Sequence, residues 1–136
     1  MAEHGRISDL AQTGFANSVV YDKHRPAYTA TATQTLLEQC RVAGKKHAKI
    51  LDLAAGTGKF TEGLVQRDEQ YEVVAVEPHY GMREVLAQKQ LSGVVVKDGT
   101  AEKIPLEDAS VDAVVAAQVG YSNFTSSSWQ NPSCIT

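Results

Sequence analysis

The sequence predicts an α/β fold built on a parallel sheet of strand order 3-2-1-4, and three observations predict it. A short apolar run of Ile50, Leu51 and Leu53 breaks at once on Gly56 and Gly58 and opens a helical pattern. A second run, Val73 to Val76, ends on an acid, Glu77, nineteen positions past Gly58. Two further apolar runs, Val94 to Val96 and Val111 to Ala117, alternate with helical segments. Strands alternating with helices form parallel sheets through right-handed crossovers, which fixes that order.

Each element has its own justification. Residues 1–14 are polar and read as a flexible N-terminus. Phe15 to Tyr28 shows no helix or strand period and reads as a loop crossing the site. Thr29 to Gly44 is a helix candidate: the threonines offer N-caps, Leu36, Leu37 and Cys40 share a face, and Gly44 offers a C-cap. A basic turn, Gly44 to Lys49, leads into the first strand. Thr57 to Arg67 follows as a helix with Phe60 and Leu64 one turn apart. After Glu77, Pro78 suits a helix start, and Met82, Val85 and Leu86 form the buried face of a helix running to about Gln90. Pro105 and the acidic loop Glu107-Asp108 precede the fourth strand, whose Val114 and Val115 need cover on both faces.

The chemistry sits at the carboxyl ends of the first two strands. Gly56 and Gly58 let the backbone approach a ligand where a Cβ would clash, and the amides opening the next helix point outward. An acid about twenty residues past such a loop accepts hydrogen bonds from a ribose diol, so the pair points to an adenosine-containing cofactor. A dinucleotide fingerprint wants a third glycine where this chain has Thr61, and a Walker-type phosphate loop fails because Leu53 and Phe60 occupy its required positions. Asp52, one residue before the strand ends, repels a pyrophosphate and attracts a cation. S-adenosylmethionine carries a sulfonium and an ammonium, so the sign fits.

On these residues the sequence resembles the class I S-adenosylmethionine-dependent methyltransferases, and in particular the methyltransferase type 11 group, which have a Rossmann-like sheet. LDLAAGTGK resembles their first motif, VVAVEP with Glu77 the second, and Asp98 to Gln118 the third and fourth. Phe15 to Tyr28 is similar to the lead-in of one branch. The resemblance implies S-adenosyl-L-methionine as cofactor, bound by Asp52, Ala54, Gly56, Gly58, Glu77, Pro78, Met82, Thr100, Ala101 and Gln118. It also implies a lid that brings Tyr21 or Arg25 near the methionine carboxylate. Ala54 replaces the first glycine of the usual first motif, a difference of one methyl, and Thr100 stands where an aspartate often meets the adenine amino group. The resemblance assigns no catalytic residue, because acceptor and base residues of such enzymes usually lie beyond the fourth strand.

Class I domains have seven strands, so the fold is expected to lack its C-terminal strands. Residues 15–118 then form the cofactor-binding half of the domain, and the Ser-rich segment 119–136 reads as an atypical ending. Two functional readings follow. One is a methyltransferase acting on an unidentified acceptor, with a small molecule favoured; the other is a truncated, non-catalytic form that binds only cofactor or a protein partner, with the open edge of the fourth strand exposed. An NAD-binding domain is the weaker alternative. Thirteen basic against sixteen acidic residues, without a long run of either sign, speak against a nucleic-acid footprint. Without an apolar leader or a spanning segment the chain is expected in the cytoplasm and off the membrane. Cys40 and Cys134 make no metal cluster and are expected as free thiols.

Overall fold

A computed structural model describes residues 14–24, 27–100, 102–107 and 110–116. A helix, α1 (14–24), precedes α2 (Ala30–Gln39), β1 (Lys49–Leu53), α3 (Lys59–Val65), β2 (Glu72–Val76), α4 (Tyr80–Gln88), β3 (Val94–Lys97) and β4 (Ala113–Val115). The four strands form one sheet in the order β3-β2-β1-β4, and every neighbouring pair is parallel. The predicted order is the observed one.

β1 occupies the centre because both its faces are apolar. Ile50 lies against Leu37, Phe60, Leu64, Val73, Ala113 and Val115, while Leu51 and Leu53 pack with Val76, Val111 and Val114 on the opposite side. Alternate residues of one strand thus enter two different clusters, as a strand covered on both faces requires. Burying each such side chain is worth about 1.5–3 kcal/mol. The ring of Tyr28 meets Phe60 edge to face at 5.5 Å, closing the cluster beneath α3.

Four expectations need correction. The segment read as a loop forms α1. Its inward positions are Phe15, Ser18, Val19 and Asp22, a helical spacing hidden from hydropathy because two of the four are polar. The helix from Thr29 ends at Gln39, well short of Gly44. Thr29 caps it by accepting from the Ala32 N–H, but Arg41 takes a left-handed φ of 61° and turns the chain out of the helix. β4 is not exposed: Ala113, Val114 and Val115 are fully buried. Finally, Cys40 is disulfide-bonded, so no free thiol remains among the described residues. Cys134 lies outside the described residues, and the wide spacing of the two cysteines had suggested no bond at Cys40.

Glu69 ties the amino ends of β1 and β2 together. It is 5% exposed and accepts from the Gly44 N–H at 2.8 Å, the Tyr71 hydroxyl at 2.9 Å and Arg67 Nη2 at 2.8 Å. The Arg67 guanidinium, helped by the Gly44 amide and the Tyr71 hydroxyl, outweighs burial and holds this carboxyl at about 2. The Tyr71 hydroxyl shares its single proton between Glu69 and the Val42 carbonyl, 2.6 Å away, which fixes the connection leaving α2. An open groove of about 940 Å³ borders this knot, lined by Gln34, Glu38, Arg41, Lys46, Arg67 and Asp68. It lies at the end of the sheet away from the glycine loop.

Candidate functional site

The site is built where β1 and β2 end side by side, paired from Lys49↔Glu72 to Leu53↔Val76. Beyond Leu53 the chain alternates in hand: Ala54 has φ 55°, Gly56 φ 63° and Gly58 φ 90°. The loop amides take separate partners: the Ala55 N–H donates to the Val76 carbonyl and the Gly58 N–H to the Ala55 carbonyl, each at 3.0 Å, while the Gly56 N–H turns to a side chain. Glu77, 6% exposed, accepts the Gly56 N–H on Oε1 and the His79 N–H on Oε2, each at 2.8 Å.

That arrangement aims the carboxylate rather than exhausting it. A carboxylate offers about four lone-pair positions, and two amides leave one on each oxygen. Each oxygen thus keeps one acceptor position. Gly58 is required for a different reason: a Cβ there would lie 2.3 Å from Leu86 Cδ1, so the loop packs directly on α4. The helix-to-strand approach that a third glycine gives other folds is made here at Gly58, while Thr61 turns inward.

Thr61 is fully buried and its hydroxyl donates to Asp52 Oδ2. Asp52 is 1% exposed. Burial, opposed by the Thr61 hydroxyl and reinforced by the negative charge of Glu77, pushes its carboxyl up to about 7. The two carboxylic groups predicted from sequence are thus neighbours, one accepting from amides at the surface of the loop and the other sealed beneath it.

The remaining predicted residues divide. Pro78 is exposed, and Met82 is half-buried on the first turn of α4, its N–H donated to His79 Nδ1 at 3.2 Å. Thr100 is exposed in the turn after β3, where its hydroxyl accepts from the Lys103 N–H at 3.0 Å. That turn crosses the end of β2 closely enough that a Cβ on Gly99 would stand 3.0 Å from Val76 Cγ1. Tyr21 lies on α1 rather than on a loop, with 36% exposure. Arg25, Ala101 and Gln118 lie outside the described residues.

The structure adds residues that sequence reasoning missed. Asp22 of α1 accepts from the Thr57 hydroxyl within the glycine loop and from Lys89 Nζ at 2.9 Å, with Lys59 Nζ at 3.8 Å. Lys89 also donates to the Thr57 carbonyl at 2.7 Å and pairs with Glu62 at 3.0 Å. Burial raises the Asp22 carboxyl, but the Thr57 hydroxyl and the two ammonium groups outweigh it and leave it below its usual value. The only sequence signal was spacing: Asp22 stands on the same helical face as Phe15, Ser18 and Val19. α1 lies so near α4 that a Cβ on Gly81 would meet the Gly14 carbonyl oxygen at 2.4 Å.

The chemistry of this donor set suits an adenosyl compound with positive charge. Among the described residues no basic side chain forms an ion pair with Asp52 or Glu77: Arg83 donates to the Glu77 backbone carbonyl at 2.9 Å and pairs with Asp98, and the nearby lysines Lys59 and Lys89 are engaged by Asp22 and Glu62. A pyrophosphate would meet Asp52 and Glu77 with the wrong sign. Among the described residues no group of three or more His, Cys, Asp or Glu could hold a metal ion, and no helix is long and apolar enough to cross a membrane.

Comparison with known proteins agrees with this reading. A family model described as a methyltransferase domain matches residues 50–131. An uncharacterized methyltransferase of Mycobacterium tuberculosis is 45% identical over 98 residues, covering 72% of this chain and 37% of that protein. An uncharacterized methyltransferase-like protein of Schizosaccharomyces pombe is 37% identical over the same length, with the same coverage of both chains. The chain therefore spans little more than a third of the length of these relatives. Among solved structures, a candidate sarcosine dimethylglycine methyltransferase from Galdieria sulphuraria superimposes with a TM-score of 0.55 at 25% identity, covering 63% of this chain and 35% of that one.

Proposed function

We propose, for a chain that belongs to the class I S-adenosylmethionine-dependent methyltransferases, that the ends of β1 and β2 hold S-adenosyl-L-methionine. In this reading Glu77 accepts the ribose diol, the loop from Ala54 to Gly58 lies along the cofactor, and Asp52 supplies the negative potential that favours its positive charges. When bound, the cofactor supplies an electrophilic methyl group on a sulfonium. The protein's part is to orient it, since in-line displacement depends mostly on the placing of donor and acceptor. Met82 and Thr100 border the same end of the sheet and are assigned to the adenine. Arg25, Ala101 and Gln118 are assigned to the cofactor by the family motifs. A small-molecule acceptor is favoured because the sequence carries no basic stripe of the kind that binds nucleic acid.

The observation that carries the reading is Glu77: nearly buried, tethered by two amides, and left with a free acceptor position on each oxygen. Charge-assisted hydrogen bonds contribute about 1.5–3 kcal/mol each. Glu77→Ala therefore weakens S-adenosylhomocysteine binding by roughly tenfold or more. Titration calorimetry on both proteins tests this, and equal affinities would remove Glu77 from the site. NAD outcompeting S-adenosylhomocysteine would overturn the choice of cofactor.

A further inference from the structure

We infer that Asp52 is a proton-exchange site for cofactor binding: a sealed carboxylic acid that gives its proton to solvent when the positively charged cofactor arrives. The inference rests on the cofactor reading above and goes beyond it, because it assigns a proton to the binding step. Its geometry can be followed element by element. Asp52 lies one residue before the end of the central strand, opposite Ala75 of β2 and Val115 of β4, both apolar. From α3 the Thr61 hydroxyl donates to Oδ2, and Oδ1 has no partner among the described residues. Among the described residues the charged group acting on it is Glu77, of the same sign, at the end of β2.

A carboxylate in that position lacks every usual compensation. It is 1% exposed, so water does not solvate it, and no basic side chain pairs with it among the described residues. Ionising it beside Glu77 puts a second negative charge into a low-dielectric region, which is costly unless a cation enters as well. Burial and Glu77 thus raise its hold on the proton into the neutral range, against a single hydroxyl favouring its loss. An ammonium or sulfonium brought to this end of the sheet reverses the balance, since an opposite charge nearby favours the ionised form. The O–H bond of Asp52 breaks, the electron pair stays on the carboxylate and the proton goes to buffer. No oxidant or co-reactant is involved.

The test is titration calorimetry with S-adenosylhomocysteine and with S-adenosylmethionine, each in paired buffers of different ionisation heat. Wild type releases about half a proton near pH 7 and approaches one near pH 6, and Kd rises toward tenfold per pH unit on further acidification. Release vanishes above about pH 8.5. Asp52→Asn binds without this release, and whatever release survives in it belongs to the ligand's own amine. Thr61→Val removes the donor that favours the ionised form, so the release midpoint moves to higher pH. This second variant decides the matter if Asp52→Asn does not fold. Binding without proton release in wild type, or release unchanged in either variant, overturns the inference while the cofactor reading stands. Absence of any binding overturns both.

Discussion

Ala54 carries a Cβ into a left-handed position of the glycine loop, and that conformation has a cost. Its φ is 55°, in the left-handed region, immediately after the central strand. An L-residue with a Cβ holds that conformation at a cost of roughly 1–2 kcal/mol. Replacing it with glycine removes this cost but adds about 0.4–1 kcal/mol of unfolded-state entropy to be lost on folding. Ala54→Gly is therefore expected to stabilise the protein by about 0.5–1 kcal/mol, which for a domain of this size raises Tm by roughly 2–5 °C. Urea denaturation should show a higher midpoint with an unchanged slope, because the surface exposed on unfolding is the same. Ala54→Val serves as the control and should lower the midpoint, as a β-branched residue fits this region worst. A midpoint for Ala54→Gly equal to or below wild type would refute the argument, since it would mean that the loop carries no strain at this residue.

Other substitutions probe the packing around the site. Gly58→Ala places a Cβ 2.3 Å from Leu86 Cδ1 at a φ of 90°, and should cost about 2–5 kcal/mol in chemical denaturation. Gly81→Ala would favour α4 by about 1 kcal/mol on propensity alone, yet its Cβ would stand 2.4 Å from the Gly14 carbonyl oxygen. It should displace α1, read as faster tryptic cleavage after Lys23; a stabilised, equally resistant protein would contradict the close contact. Glu69, held at about 2, contributes stability that is complete above its ordinary value near 4.5 and is lost as the pH falls through 2. Glu69→Gln should therefore cost up to about 3 kcal/mol at pH 7 and show a smaller loss of stability than wild type between pH 4.5 and 2. Parallel acid profiles would refute this.

What the sequence made legible was whatever hydropathy and glycine could mark. Ile50, Leu51 and Leu53, and Val73 to Val76, are apolar on both faces and announce a covered parallel sheet. Gly56, Gly58 and Glu77 announce the turn and the acid that meets it. α1 was illegible because Ser18 and Asp22 occupy two of its inward positions, so its period is written in polar side chains. The network at Asp22 was equally hidden, since Thr57, Lys59 and Lys89 are ordinary surface residue types until the fold brings them to one carboxylate. Ala54 was misjudged because a sequence shows a side chain's volume but not the dihedral it must adopt. Asp52 was read as an open charge, whereas Thr61, one residue into the space a glycine might have filled, closes over it.

The central position of β1 also has a consequence in time. Ile50 pairs with Ala113, so the strand that organises the sheet is translated 63 residues before its second neighbour exists. At about 5–20 residues per second, β1 waits some 3–13 s on the ribosome with one edge unpaired. An apolar strand in that state is a template for wrong partners, and an ionised side chain on it is a known deterrent. An aspartate that water still reaches is ionised at neutral pH, so before burial Asp52 would mark that strand with a charge. Once the strand is enclosed, desolvation raises that carboxyl to about 7. The residue that marks the unfinished sheet is then sealed, 1% exposed, within the finished one.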